Sequence, residues 1–358
     1  MNKRVVAFFL VLVMIFTFVG CQPQATEPTA TDEKAPATEE KADEKQEETT
    51  TEPAASGSGE LDFLSIATGG TGGTYYPLGG AIATILNSPD NGLNLQATAQ
   101  ATGASVENVE LITRGDAEVA FVQNDVTYYA FNGVEAFAEK GKFENIRGLA
   151  TLYPEVVQII ARADAELTSV EDMAGKRVAV GAPGSGTEVN ARQILEIHGL
   201  SYEDLAKVDY LSFAEATDQL KNNQIDVAFV TAAVPTSAVT EVSTTADVAL
   251  IPITAEKIKE LSEKYPYYIQ VDIQPGDYRG QEEVVSAAAV MAMLIVSEDM
   301  DEGLVYNITK AIFENTQTIA ESHARGSDIT LESALDGMPI EVHPGAQKYY
   351  DEKGVQAN

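Results

Sequence analysis

Two short stretches of this 358-residue chain carry the residue types for backbone-based recognition. Thr68–Thr74 holds four glycines and three hydroxyls, and Gly181–Gly186 reads Gly-Ala-Pro-Gly-Ser-Gly. An apolar run with the length and flanks of a buried strand precedes each: Leu61, Phe63, Leu64 and Ile66 before the first, Arg177–Val180 before the second. A helical pattern follows each, with Pro77 tolerated in the first turn after Tyr75. Strand, glycine loop and helix start together aim N–H groups at an anion, because glycine permits close approach and the helix end adds a favourable partial charge. The plain alternative is a tight turn without a ligand. Neither loop suits a nucleotide. The first has Tyr75 where a dinucleotide fingerprint needs its third glycine, and the second ends in Thr187-Glu188 where a P-loop needs Lys-Ser/Thr. What remains is the capacity to hold a carboxylate or another small anion.

Gln123-Asn124-Asp125 closes a buried apolar run, where amides supply both donors and acceptors to a small polar ligand; capping of the next helix by Asn124 or Asp125 is the competing reading. Tyr75, Tyr76 and Tyr153 lie near these loops and suit an amphipathic pocket wall as well as a core. Chemistry of bond cleavage has little to work with. Cys21 is the only cysteine, so the folded body has no thiolate and no internal disulfide. His198 sits at a helix end before Gly199 and reads as a cap, while His323 and His343 read as solvated, which argues against a His-based metal site. Glu188 and Arg192 are spaced for a helix ion pair, and Glu282–Glu283 reads as surface charge. The expectation is a binding protein rather than an enzyme, with no cofactor.

The elements that position these loops alternate along the chain. Residues 1–20 have a basic start, an apolar run from Val5 to Val19 and a small Gly20 before Cys21, the layout of a secretory signal ending at a thiol kept for acylation. Residues 21–60 contain no aromatic residue and are rich in Ala, Thr, Glu, Lys and Pro, an acidic tether that cannot bury enough to order itself. From Leu61 strands and helices alternate, the pattern of an α/β protein. Strands are expected at 93–99, 118–122, 146–152, 156–160, 177–180, 208–211, 227–230 and 284–296, with helices at 105–114 (Ser105 as N-cap), 213–221, 255–263 and 302–320. Two such units suggest lobes at 61–155 and 156–255, with 256–358 returning to the first, and a ligand cleft at the carboxyl ends of the strands. The charge balance, 23 Lys+Arg against 55 Asp+Glu for a net −32, repels nucleic acid.

Five segments together resemble a known family. TGGTGGTYYPLGGAIATILN, FVQNDVTYYA, RGLATLYPEVVQIIAR, GKRVAVGAPGSGTEVNARQIL and LVYNITKAIFEN are similar to the TAXI family of TRAP-transporter solute receptors, over roughly residues 61–345. The resemblance implies a type II periplasmic-binding-protein fold of two α/β lobes joined by a hinge. It implies an extracytoplasmic lipoprotein, held to the membrane by lipid on Cys21, that delivers a small acidic solute such as glutamate or 2-oxoglutarate to an ion-gradient-driven TRAP permease. It places Thr71, Gly72, Gly73, Thr74, Tyr75, Gln123, Asn124, Tyr153, Ser185, Gly186 and Thr187 in the pocket. Thr231-Ala232-Ala233 stands where the family has a glycine near the last pocket strand. A receptor serving an ATP-driven importer for phosphonate, thiamine or a similar anion would use the same loops.

Overall fold

In the computed structural model of the chain, residues 62–356 are described; the leader, Cys21 and the tether lie outside them. Among the described residues ten strands form a single sheet. They are β1 (Asp62–Ala67), β2 (Leu95–Gln100), β3 (Val119–Gln123), β4 (Ile146–Arg162), β5 (Arg177–Ala179), β6 (Lys207–Asp209), β7 (Val227–Ala232), β8 (Val248–Leu250), β9 (Ile269–Ile273) and β10 (Val285–Ser297). The helices are α1 (Tyr75–Leu86), α2 (Ser105–Arg114), α3 (Asn124–Asn132), α4 (Gly186–Ile197), α5 (Phe213–Lys221), α6 (Ser237–Thr245), α7 (Ala255–Lys264), α8 (Glu302–Glu314), α9 (Thr316–Ser322) and α10 (Pro344–Lys353).

The sheet order is β2-β1-β3-β10-β4-β7-β5-β6, with β8 on β4 and β9 on β10. At one end β1 runs parallel to β2 and β3; at the other β5 runs parallel to β6 and β7. Each parallel set is one lobe, built from strand–helix crossovers. Two long antiparallel strands, β4 of 17 residues and β10 of 13, run between the lobes and pair with each other. Along β4 the neighbours change: its first part pairs with β10 and its last part, from Val156, with β7. Leu64 and Ile66 of β1 pack with Leu78, Ile82 and Leu86 of α1 and with Ile308 and Ile312 of α8. In the second lobe Ala216 and Leu220 of α5 and Val239 and Val242 of α6 cover Ala228 and Val230 of β7. A further cluster joins Val122 and Val126 to Val189 and Ile194 of α4, so the lobes share apolar surface behind the cleft.

Several expectations are corrected. Tyr153-Pro154-Glu155 does not separate two strands; β4 runs through it. Pro154 lies opposite Met291, where the register between β4 and β10 is irregular, and β7 begins pairing only two residues later. A sheet tolerates a missing N–H at such a place. The helix expected over 302–320 is two, α8 and α9, broken at Asn315, whose side-chain amide donates to the Ala311 carbonyl in competition with the backbone. His343 is fully buried as the N-cap of α10, accepting from the Gly345 N–H, and His323 is half-buried in a similar role before a short 3-10 turn. Ser105 is not the N-cap of α2: that position is Ala104, and the Ser105 hydroxyl accepts instead from the Gln123 N–H at 3.2 Å.

Candidate ligand-binding site

Four strand–loop–helix junctions, two from each lobe, meet at one cavity of about 60 Å³. The first lobe supplies Gly69, Gly70, Gly73, Thr74 and Tyr75 at the start of α1, and Thr102, Gly103 and Ala104 before α2. The second supplies Ala182, Ser185 and Thr187 at α4, and Ser212 and Phe213 at α5. Glu155 of β4 lines it as well. All four helices start at the carboxyl ends of parallel strands, where open α/β sheets place their ligands.

Their N-termini are not equivalent. Ser212 and Glu215 form a capping box on α5, and the Ser185 hydroxyl accepts from the Glu188 N–H at 3.1 Å on α4. The second glycine loop caps α2 from across the cleft: the Gly184 carbonyl accepts from the Val106 and Glu107 N–H groups at 3.0 and 3.1 Å. Gly184 holds φ +75 to present that carbonyl, a conformation glycine adopts freely. No side chain caps α1, and the buried Thr74 hydroxyl beside its start has no hydrogen-bond partner. Of the four, α1 therefore offers the least satisfied set of donors to an anion.

The first loop is held by groups that sequence reading passed over. Asn108 of α2 donates to the Thr68 carbonyl at 2.6 Å and to the Phe121 carbonyl at 2.7 Å, while the Thr102 hydroxyl donates to the Asn108 side-chain carbonyl at 2.7 Å. Across the cleft, the Ala238 N–H donates to the Gly72 carbonyl at 3.1 Å. The structure thus has both lobes in hydrogen-bonded contact at the rim of the cavity.

Of the residues the family resemblance placed in the pocket, Gly73, Thr74, Tyr75, Ser185 and Thr187 line the cavity. Thr71 is exposed, and Gly72 meets α5 and α6 through Ala214 and Ala238. Gln123 and Gly186 form one contact behind the wall: a Cβ on Gly186 would fall 2.0 Å from the Gln123 side-chain oxygen. Asn124 is spent on structure, accepting from the Met291 N–H at 3.0 Å and donating to the Gly337 carbonyl at 3.2 Å. Tyr153 is fully buried, and its hydroxyl has no partner. The pairing of Glu188 with Arg192 exists at 3.8 Å, but Glu135 lies nearer the guanidinium at 3.2 Å.

Glu155 is the one acidic residue among the described residues that line the cavity, and nothing in the sequence marked it as a site residue. It is 2% exposed and accepts from the Tyr75 hydroxyl at 2.5 Å. Burial pushes its carboxyl well above the usual carboxylate range, against the lowering effect of the hydrogen bond from Tyr75. The same pair pushes Tyr75 up: burial first, then the nearby Glu155 carboxylate. The only signal in the sequence was an acid placed next to a proline inside an apolar run, which equally describes an exposed turn.

Residues 66–354 match the NMT1-like family. Among solved structures, the periplasmic binding protein BugD superposes with TM-score 0.52 at 14% identity, over 83% of this chain and 99% of its own. A protein from Bordetella bronchiseptica RB50 gives TM-score 0.51 at 16% identity, over 82% and 98%. PhnD1 from Prochlorococcus marinus (MIT 9301), solved with methylphosphonate, gives TM-score 0.51 at 10% identity, over 75% and 91%. With its two lobes, its crossing strands and its cleft at the strand ends, the chain has the type II periplasmic-binding-protein fold and belongs to the NMT1-like family.

Proposed function

We propose that the protein is an extracytoplasmic solute-binding receptor that closes its lobes on a small molecule bearing an anionic group and delivers it to a membrane permease. The observation that carries this reading is the cavity between four helix starts, with α1 uncapped and Thr74 unpartnered at its mouth. The anionic group sits against the Thr74 hydroxyl and the first N–H groups of α1, faced by Ser185 and Thr187 from the other lobe.

A thermal-shift screen of dicarboxylates, amino acids and phosphonates on the mature protein, followed by calorimetry, tests the reading. Thr74→Ala removes one donor to a charged acceptor, an expected loss on the order of 1.5–3 kcal/mol, or about tenfold or more in affinity. Because Thr74 caps nothing, its melting temperature should stay near wild type. Ser185→Ala, in contrast, removes a helix cap and should lower stability by about 1 kcal/mol. Wild-type affinity in Thr74→Ala would move the anion away from α1.

Two permease classes fit the receptor. The TAXI-like segments favour an ion-gradient-driven TRAP permease with glutamate or 2-oxoglutarate as cargo. The likeness to a phosphonate-binding neighbour favours an ATP-driven importer for another small anion, and the comparisons weigh toward this second class. Uptake abolished by collapsing the ion gradient supports the first; uptake that survives an ionophore and stops on ATP depletion supports the second.

The same reading places lipid on Cys21. Mass analysis of the native protein is expected to show loss of residues 1–20 and added acyl mass at the new N-terminus. An unmodified Cys21 in the membrane fraction would count against a lipid anchor.

A further inference from the structure

Among the described residues that line the cavity, Glu155 is the one carboxyl group, and none is Lys, Arg or His. A buried carboxyl group facing a ligand site without a basic partner is costly in its charged form and repels a second negative charge brought next to it. The Glu155 carboxyl group accepts from the Tyr75 hydroxyl at 2.5 Å and from the Gln123 side chain, which still leaves acceptor capacity on its two oxygens. The cavity is therefore two-sided. Its α1 end presents N–H groups and the Thr74 hydroxyl, and its β4 side presents the Glu155 carboxyl group.

A dicarboxylate or a phosphonate dianion satisfies the first side and opposes the second. A molecule with a carboxylate and an ammonium a few bonds apart satisfies both, with the ammonium donating to the carboxylate in a charge-assisted hydrogen bond. We propose that Glu155 is the recognition point for a ligand ammonium, so that the receptor selects α-amino acids over the matching 2-oxo acids and over phosphonates. This rests on the receptor reading above and adds to it the charge type of the solute. Tyr75 is the positioning residue: its hydroxyl fixes the carboxylate against the wall.

The test compares, by calorimetry on the mature protein, the twenty L-amino acids with 2-oxoglutarate, pyruvate and methylphosphonate. L-Glutamate and 2-oxoglutarate are the matched pair, since they differ only at the α-carbon. Wild type is expected to bind at least one amino acid, and to bind it at least tenfold more tightly than its oxo counterpart. In Glu155→Gln that preference should fall to within about twofold, with the melting temperature reported alongside to show that the variant is folded. The wild-type comparison stands even where the variant does not fold. Binding of 2-oxo acids or methylphosphonate without any amino acid would overturn the ammonium site and leave the receptor reading intact. Equal loss of both members of the pair in folded Glu155→Gln would also overturn it. Binding of nothing in the panel would overturn both.

Discussion

Replacing Gly103 by alanine is expected to hold the lobes apart. A Cβ at this position would lie 2.5 Å from the Pro183 carbonyl oxygen of the second lobe and 2.6 Å from the Glu107 carboxylate of its own. The Glu107 side chain can swing away, although it then releases the Gly103 N–H, to which it is bonded at 2.6 Å. The Pro183 carbonyl is backbone and moves only with its loop. That loop carries Gly184, whose carbonyl binds the start of α2, so relief of the overlap breaks the contact between the lobes as well. Overpacking of this kind costs roughly 1–3 kcal/mol, which lowers the closed population about five- to 150-fold. Gly103 does not hold a left-handed φ, so alanine brings no backbone strain of its own and each lobe should remain folded. With the tightest solute from the thermal-shift screen, Gly103→Ala should bind about five- to 150-fold more weakly. Its scattering curve should stay that of the ligand-free protein at ligand concentrations that compact wild type. Normal affinity with normal compaction would show that this contact is not part of closure.

The second large effect concerns stability against pH. Asp125 in the first turn of α3 is fully buried, and one carboxyl oxygen accepts from the Asn190 amide of α4 at 3.1 Å. Burial pushes its carboxyl up to about 7, against hydrogen bonds from the Val126 N–H and Asn190 that favour the charged form. The groups around it are Asn190, the hydroxyls of Tyr129, Tyr267 and Tyr268, and Glu155, with which it repels. No Lys, Arg or His is among them. The folded state therefore keeps a proton that the unfolded chain, near its ordinary value of 3.8, gives up. Stability from the protonated form is fully present below about pH 4 and is lost as pH rises to about 7. At about 1.4 kcal/mol per pH unit the loss is on the order of a few kcal/mol, or several degrees in melting temperature. Asp125→Asn keeps the shape and removes the charge. It should melt several degrees above wild type at pH 8, with the gap closing toward pH 4. A gap that does not change with pH, or a variant less stable at pH 8, would mean that Asp125 is charged and satisfied in the folded state.

Local pattern decided much of this protein. The alternation of apolar runs and helical periodicity from Leu61 onward marks an α/β chain, because burial of one face is repeated along the sequence itself. The glycines at 69–73 and 181–186 mark the two loops, since a required φ or a close approach leaves its trace in residue type. Residues 105–114 and 213–221 read as helices at the same bounds that the structure shows, because apolar periodicity is a near-neighbour effect. What the tertiary structure alone decided depends on groups brought from far along the chain. Glu155 looked like a turn acid until β4 ran through Pro154 and set it against Tyr75, 80 residues earlier. Asn124 has amide chemistry suited to a pocket, but Met291 and Gly337 claim it. The loop at Gly184 could have pointed its N–H groups at an anion; its carbonyl instead faces α2 of the other lobe, and α1 is left with the open donors. A pattern along the sequence records the free energy of a residue with its neighbours. Which polar groups stay unpaired in a cleft is set by partners that only folding brings within 3 Å.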